Sequence, residues 1–324
     1  SESYKKGKIS ESRLSSSVKK ILSLKARSNL KNFKHISTEN ILSKVNTSKD
    51  TLLYSNAMSS AITLVKNTKN ILPLANDKKY LHVAFGKHNS GAHFYDKMNK
   101  YLNLDSYTNE DMTSLFSKTK YDGIVISYHG SSKSPYASNI IPKEIVEKIN
   151  KISINNNVVL NLFLNPYSLN SFESIDNFES IIIGYQNNMI SQEVLADLLY
   201  GVRSFKGKIP VSNNFFKVNH GLTFNKKNII GYSRPSYEGF DITKLSYLDS
   251  LAKNAIDSMM TPGIQMLVSR KGKIVYNKSF GYHTYEKVNK LENNHVFDLS
   301  SITKILATMP LVLQEFDKNN ISLE

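Results

Sequence analysis

The first clear pattern along the chain is helical. From residue 9 to 26, Leu14, Val18, Ile21 and Leu22 recur at the spacing of one helix face with Lys and Arg between them, and Ser10 stands at an N-cap position. Residues 38–67 carry a second helical pattern, apolar on one face from Ser59 to Val65. Asn70 and Pro73 in "KNTKNILPL" end it and start extended chain. Short apolar runs then alternate with amphipathic stretches. "YLHVAFG" (80–86), "DGIVISYHG" (122–130), "NVVLNLFLN" (157–165) and "SIIIGY" (180–185) read as strands. Residues 91–102, 109–119, 141–153 and 191–202 read as the helices between and after them. Continuous Val, Ile and Leu strands separated by helices predict a mostly parallel sheet buried on both faces. The fold class is therefore α/β, a doubly wound sandwich spanning about residues 36–225.

The pattern changes after "RSFKGKIPVSNNF" (203–215), where Gly207 and Pro210 interrupt the alternation and residues 212–238 turn polar. Residues 226–240 are read as a linker. Residues 241–260 then form an amphipathic helix with Asp241 as its cap. Residues 262–285 are two β-runs about a Lys271–Gly272 turn, a hairpin signal. Residues 297–316 are an apolar helix opened by Asp298 and Ser300, predicted to be buried. Helix, hairpin and helix together indicate an incomplete α+β domain over residues 241–324.

Composition adds constraints to this outline. With 324 residues, 40% hydrophobic and 21% charged, the chain is that of a globular protein large enough for two cores. No run approaches the eighteen or so apolar residues of a membrane span, and the polar first residues have no apolar leader core. An opening in mid-helix is expected of an excised or processed piece. The absence of cysteine excludes disulfides, thiolate metal sites and cysteine nucleophiles. It also leans toward a periplasmic or exported location, and the compartment stays open. The formal net charge of +15 has two readings, an anionic-polymer surface or a lysine-rich bias spread along the chain. No basic stripe interleaved with aromatics supports the first, so no nucleic-acid partner is expected. Gly86 and Gly91 lack the spacing of a dinucleotide fingerprint, no metal cluster stands out, and no cofactor is expected.

Two places carry candidate chemistry. Ligands of doubly wound sheets bind beyond the carboxyl ends of the strands, which points to "YHGSSKSPYA" (128–137) and "LNPYSLN" (164–170). There His129 is a candidate acid or base and Ser131 a candidate hydrogen-bond donor, or the loop is only a polar loop. The second place is "FDLSSITK" (297–304), where Ser301 has Lys304 three residues on and so shares a helix face with it. A serine needs a base beside it to act as a nucleophile, and a lysine serves where burial disfavours its charge. The apolar run from Ile305 to Leu313 is expected to supply that burial, and the helix N-terminus supplies N–H groups for an oxyanion.

With its hairpin before it and its apolar helix after it, this segment resembles the serine β-lactamase and penicillin-binding-protein superfamily, in its class C and esterase-like branch. The resemblance covers residues 241–324 and implies Ser301 as nucleophile and Lys304 as activating base. It also implies a Tyr-x-Asn or Ser-x-Asn element and a Lys/His-Thr/Ser-Gly strand. Residues 305–324 contain no Tyr, His or Gly, so neither element follows Lys304. The first two-thirds resembles glycoside hydrolase family 3 in three ordered segments, residues 9–30, 59–74 and 190–212. The first is similar to the helix leaving that family's catalytic barrel (residues 1–35 here), and the other two to the entry and end of its α/β sandwich. The loop at 128–139 fits the branch of bacterial β-N-acetylglucosaminidases.

This resemblance implies a retaining glycosidase acting on a glycan or peptidoglycan-derived substrate through an aspartate nucleophile on a barrel of the same polypeptide that precedes residue 1. In the β-glucosidase branch the sandwich contributes a glutamate, for which Glu173 and Glu179 are the nearest candidates by region. The expectation is a piece of a larger cell-wall hydrolase in which neither active site is complete. Rival expectations are a non-catalytic glycan- or domain-binding scaffold and a β-lactamase-like esterase independent of sugar.

Overall fold

A computed structural model of the chain describes residues 2–32, 35, 37–86, 91–107, 120–131 and 140–322. The helix expected at 109–119 and most of the loop at 128–137 lie outside the described residues. Two compact units are present, one of residues up to Thr47 and one from Ser48 onward. The first contains helices α1 (Glu2–Lys5), α2 (Glu11–Arg27) and α3 (Ile41–Val45). As the pattern predicts, the Ser10 hydroxyl caps α2 by accepting from the Arg13 N–H at 3.3 Å.

The second unit opens with α4 (Ser48–Ala61) and β1 (Thr63–Asn67). The sequence pattern carries helix through residue 67, but the helix stops at Ala61. Ile62, Thr63 and Val65 are β-branched and fully buried, and the ladder to a neighbouring strand holds this segment extended. There follow β2 (Lys79–Gly86), α5 (Ala92–Met98), β3 (Asn103–Tyr107), β4 (Gly123–His129), α6 (Lys143–Ser153), β5 (Val158–Phe163), β6 (Ser180–Ile183) and α7 (Met189–Tyr200). Helix α5 ends four residues before the expected stop at 102. The unpredicted β3 is polar because it is an edge, bonded among the described residues to β2 alone.

The six strands form one sheet in the order β1-β6-β5-β4-β2-β3, parallel throughout except for β1. Alternate residues of each strand face opposite cores. Tyr80, Val125, Val159, Phe163 and Ile182 pack under α4, α5 and α7. Leu81, Ile124, Ile126, Leu160 and Ile183 pack with Val146, Ile149 and Ile152 of α6 on the other face. This is the doubly wound, mostly parallel sandwich read from the sequence.

A second, three-stranded sheet has the order β7-β9-β8, with β7 at Gly231–Tyr232, β8 at Gly263–Arg270 and β9 at Lys273–Gly281. The hairpin turns where expected, with φ of 52° at Lys271 and 71° at Gly272, the left-handed pair of a tight hairpin. Helix α8 (Ile242–Asp257) precedes it, capped by Asp241, whose carboxylate accepts from Thr243 and Lys244. Strand β7 lies within the stretch read as a linker and pairs in parallel with β9.

One buried carboxylate ties these parts together. Asp197 of α7 is 3% exposed and receives Lys97 of α5 at 3.1 Å, Arg203 at 3.2 Å and the Tyr101 hydroxyl at 2.6 Å. Lys97 also donates to the Tyr232 carbonyl, and the Tyr232 N–H donates to the Tyr101 oxygen at 3.0 Å. The six-stranded sandwich and strand β7 are thus joined through one anion. Burial, with the Asp197 charge beside it, pushes the Tyr101 phenol far above its ordinary value. Removing one partner of a buried ion pair leaves the other charge uncompensated. Asp197→Ala is expected to lower the unfolding free energy by about 3–5 kcal/mol, read as a lower urea midpoint, whereas an unchanged midpoint would show that the pair contributes nothing.

Candidate functional site

The serine–lysine pair lies on an irregular helix start. Asp298 accepts from the Ser300 N–H at 2.8 Å, fixing the entry, and Ser300 itself takes φ 45°. A 3₁₀ turn at Ser300–Ile302 follows, then a π-helical turn at Lys304–Thr308 and α9 (Met309–Asp317). In 3₁₀ geometry residues three apart eclipse, which brings Lys304 Nζ to 3.1 Å from Ser301 Oγ. The expected contact is therefore formed. Pro310 has no N–H to give the preceding turn, consistent with the irregular backbone that separates Lys304 from α9.

The expected burial of this helix is not met among the described residues. Ser301 and Lys304 are exposed, and so are Ile305, Leu306, Met309, Leu311, Val312 and Leu313, each about half or more accessible. The apolar sequence reflects a face that no described part of the chain covers. A desolvated lysine, which the sequence reading required, is not supplied by the residues around it here.

The other place, at the carboxyl ends of β2 and β4, holds a buried polar relay. His82, Ser127 and His129 lie on one face of the sheet, each 1% exposed or less. Asn187 sets their hydrogen-bonding directions. Its amide nitrogen donates to the Gly130 carbonyl at 3.0 Å, so its oxygen accepts, from Gln192 at 2.7 Å and from His129 Nδ1 at 3.0 Å. The neutral His129 ring then accepts at Nε2 from the Ser127 hydroxyl at 2.8 Å. Ser127 in turn accepts from His82 Nε2 at 2.7 Å. That leaves His82 Nδ1 a buried acceptor without a partner among the described residues.

Packing holds both rings in place. His129 stacks on Phe163 at 4.7 Å, and His82 stacks on Tyr95 at 5.9 Å. Gly91 closes the wall, since a Cβ there would come within 2.7 Å of His129 Nε2. Burial lowers His129 to about 4 against the opposing effect of the hydrogen bond it donates to Asn187. Burial and the neighbouring His129 lower His82 to about 3. His129 faces inward into this relay, and Ser131, two residues on, is exposed.

Sequence reading singled out His129 but not its partners His82, Ser127, Asn187 and Gln192. A signal for the first two was present. A histidine inside the apolar run "YLHVAFG" and a serine two residues before His129 share the strand periodicity that puts them on one face.

The glutamates lie elsewhere. Glu173 is exposed, and Glu179 sits at the amino end of β6, at the opposite end of the sheet from His129. Lys69 at 2.6 Å, with help from the Thr68 hydroxyl at 2.8 Å, holds the Glu179 carboxyl below its usual range. Among the described residues no group of His, Asp and Glu is arranged to hold a metal ion, and no helix is long and apolar enough to cross a membrane.

Residues 248–324 match the family model Beta-lactamase. No curated protein matches the chain by sequence. Solved structures similar to it include a beta-glucoside phosphorylase, BglX, at 21% identity over 65% of this chain and 40% of that one, with TM-score 0.44. A glycoside hydrolase family 3 beta-N-acetylglucosaminidase from Paenibacillus sp. str. FPU-7 is similar at 18% identity over 64% and 41%, with TM-score 0.41. A beta-glucosidase from Listeria innocua, in complex with glucose, is similar at 19% identity over 67% and 34%, with TM-score 0.47. The chain spans less than half the length of each of these structures.

The histidine relay predicts the direction of acid sensitivity. Both rings have folded values below the ordinary histidine value near 6.5, so the unfolded chain binds protons that the folded chain does not. Their contribution is present above about pH 6.5 and falls as pH drops toward about 4. For His129 alone the loss is on the order of 3 kcal/mol. Urea unfolding at about pH 7 and about pH 4.5 is expected to show this fall, and His129→Asn to flatten it. An equal pH slope in wild type and variant would refute the assignment.

Proposed function

We propose that this chain is part of a glycan hydrolase in which an α/β sandwich of the glycoside hydrolase family 3 kind is joined to a serine hydrolase of the β-lactamase type. In this reading residues 36–225 are the sandwich, 226–240 the connection and 241–324 the serine-hydrolase portion. The observation that carries the serine chemistry is the 3.1 Å approach of Lys304 Nζ to Ser301 Oγ inside the stretch that matches the Beta-lactamase family.

The chemistry follows from that pair. Neutral Lys304 takes the Ser301 hydroxyl proton as Oγ attacks the carbonyl carbon of an acyl substrate. The oxyanion that forms requires backbone N–H donors aimed at it, as in other acyl-transfer sites. Collapse breaks the bond to the leaving group, which departs with the proton, and water then hydrolyses the acyl-serine. The lysine works this way only once the apolar residues after it are covered, so the reading places a further part of the polypeptide over α9.

For the sugar half, support comes from the three ordered sequence segments and from the sandwich architecture itself. The reading is a retaining β-N-acetylhexosaminidase acting on peptidoglycan-derived sugars, with its nucleophile on a barrel domain of the same polypeptide. The sandwich then contributes shape and its carboxyl-end loops, and His129 orients the chain beneath them.

The exposure of Ser301 and Lys304 favours a second reading, in which this region is a binding scaffold without acyl-transfer activity. A fluorophosphonate or fluorescent penicillin separates the two. On the full polypeptide, labelling is expected, is abolished by Ser301→Ala, and is slowed about 10²–10⁴-fold by Lys304→Ala. Absence of any labelling would leave the scaffold. Release of nitrophenol from its N-acetylglucosaminide, and not from the glucoside, tests the sugar assignment.

A further inference from the structure

At the amino ends of the parallel strands, away from both places described above, two adjoining cavities of about 270 and 540 Å³ share Lys69, Asn157 and Glu179. Together they fall within the range of about 300–1,000 Å³ typical of small-molecule sites. Their walls come from the segments that lead into β2, β4, β5 and β6. From the polar nature of this groove we infer that it binds a neutral oligosaccharide of a few sugar units, as a binding site and not a catalytic one.

Charge decides against an ionic ligand. Lys69, Lys78 and Lys120 face Asp122, Asp176 and Glu179, three cations against three carboxylates. The balance leaves no field of one sign to hold a phosphate, a sulfate or a metal ion. The apolar lining is slight, with Ile71, Pro73 and Ile154 at the margins, so there is no pocket to seat the aromatic or aliphatic anchor of a peptide.

What the groove does present is amides. Asn70, Asn155, Asn156, Asn157 and Asn177 all line it. Asn156 and Asn157 commit their nitrogens, to the Ile152 carbonyl at 2.8 Å and the Asp122 carbonyl at 3.3 Å, and their side-chain oxygens remain available as acceptors among the described residues. Asn70, Asn155 and Asn177 make no side-chain hydrogen bond among the described residues, so each offers a donor and an acceptor together. A sugar hydroxyl is likewise both donor and acceptor. Planar amides beside carboxylates match neighbouring hydroxyls in pairs without requiring net charge. The partly buried Tyr121 ring adds an apolar face at one point of the wall.

This site does not depend on the hydrolase reading, and its test does not use hydrolysis. The intact chain is titrated with cellotriose and with chitotriose, following backbone amide resonances and heat. Binding on the order of millimolar is expected, with shifts concentrated at residues 155–157 and 177. The Asn155→Ala/Asn177→Ala double variant alters exposed side chains only and is expected to keep its circular dichroism spectrum while losing about tenfold or more in affinity. Three results would overturn the assignment: no perturbation at those positions by either sugar, unchanged affinity in the folded double variant, or binding of a sulfated oligosaccharide in place of the neutral probes.

Discussion

The arrangement of the larger unit turns on a single buried carboxylate. Asp197 sits on the helix that closes one face of the sheet, and Lys97, Arg203 and Tyr101 converge on it. A lone carboxylate in that position would be costly, and so would the lysine without it. Because Lys97 and Tyr101 also bind the backbone of Tyr232, the charge pairing fixes where the second sheet begins. The position of β7 beside β9, and through it of the hairpin that leads to Ser301, follows from satisfying these groups together. Packing under α7 contributes area, but the ion cluster specifies which residues meet.

Strand periodicity made most of the sandwich legible from sequence. Unbroken runs such as "IVIS" and "VVLNLF" can be buried on both faces only in a parallel sheet, and they are. Two elements escaped for physical reasons. β3 is polar because an edge strand must pair on one side only, and β1 looked helical because its apolar residues continue the pattern of α4. In both, the ladder partner and not the local sequence sets the conformation. The relay at His82 was half legible. Sequence spacing put His82, Ser127 and His129 on common strand faces, but Asn187 and Gln192 arrive from a distant helix start and leave no local trace.

Around Ser301 the local chemistry was legible and the environment was not. The i to i+3 pairing needs only backbone geometry, and the pair forms at 3.1 Å. Burial needs a second surface, which periodicity can demand but cannot supply. The result is a helix whose composition belongs to an interior while its side chains meet solvent. Its meaning as a family marker and its readiness as a catalyst are therefore separate properties, and only the first is written into residues 297–304.

Strand order also has a temporal side. β1, the first strand of this sheet in chain order, occupies an outer position beside β6, so residues 63–67 find their ladder only when residues 180–183 have been made. At about 5–20 residues per second, that leaves the segment unpaired for several seconds during synthesis. Through that interval its Thr-Leu-Val core is an open strand edge with nothing of its own chain to join. Lys66 within it and Lys69 just after it are charges of the kind that guard exposed apolar strands against aggregation. A nascent chain stalled between these two strands would expose the one antiparallel edge that the finished sheet conceals.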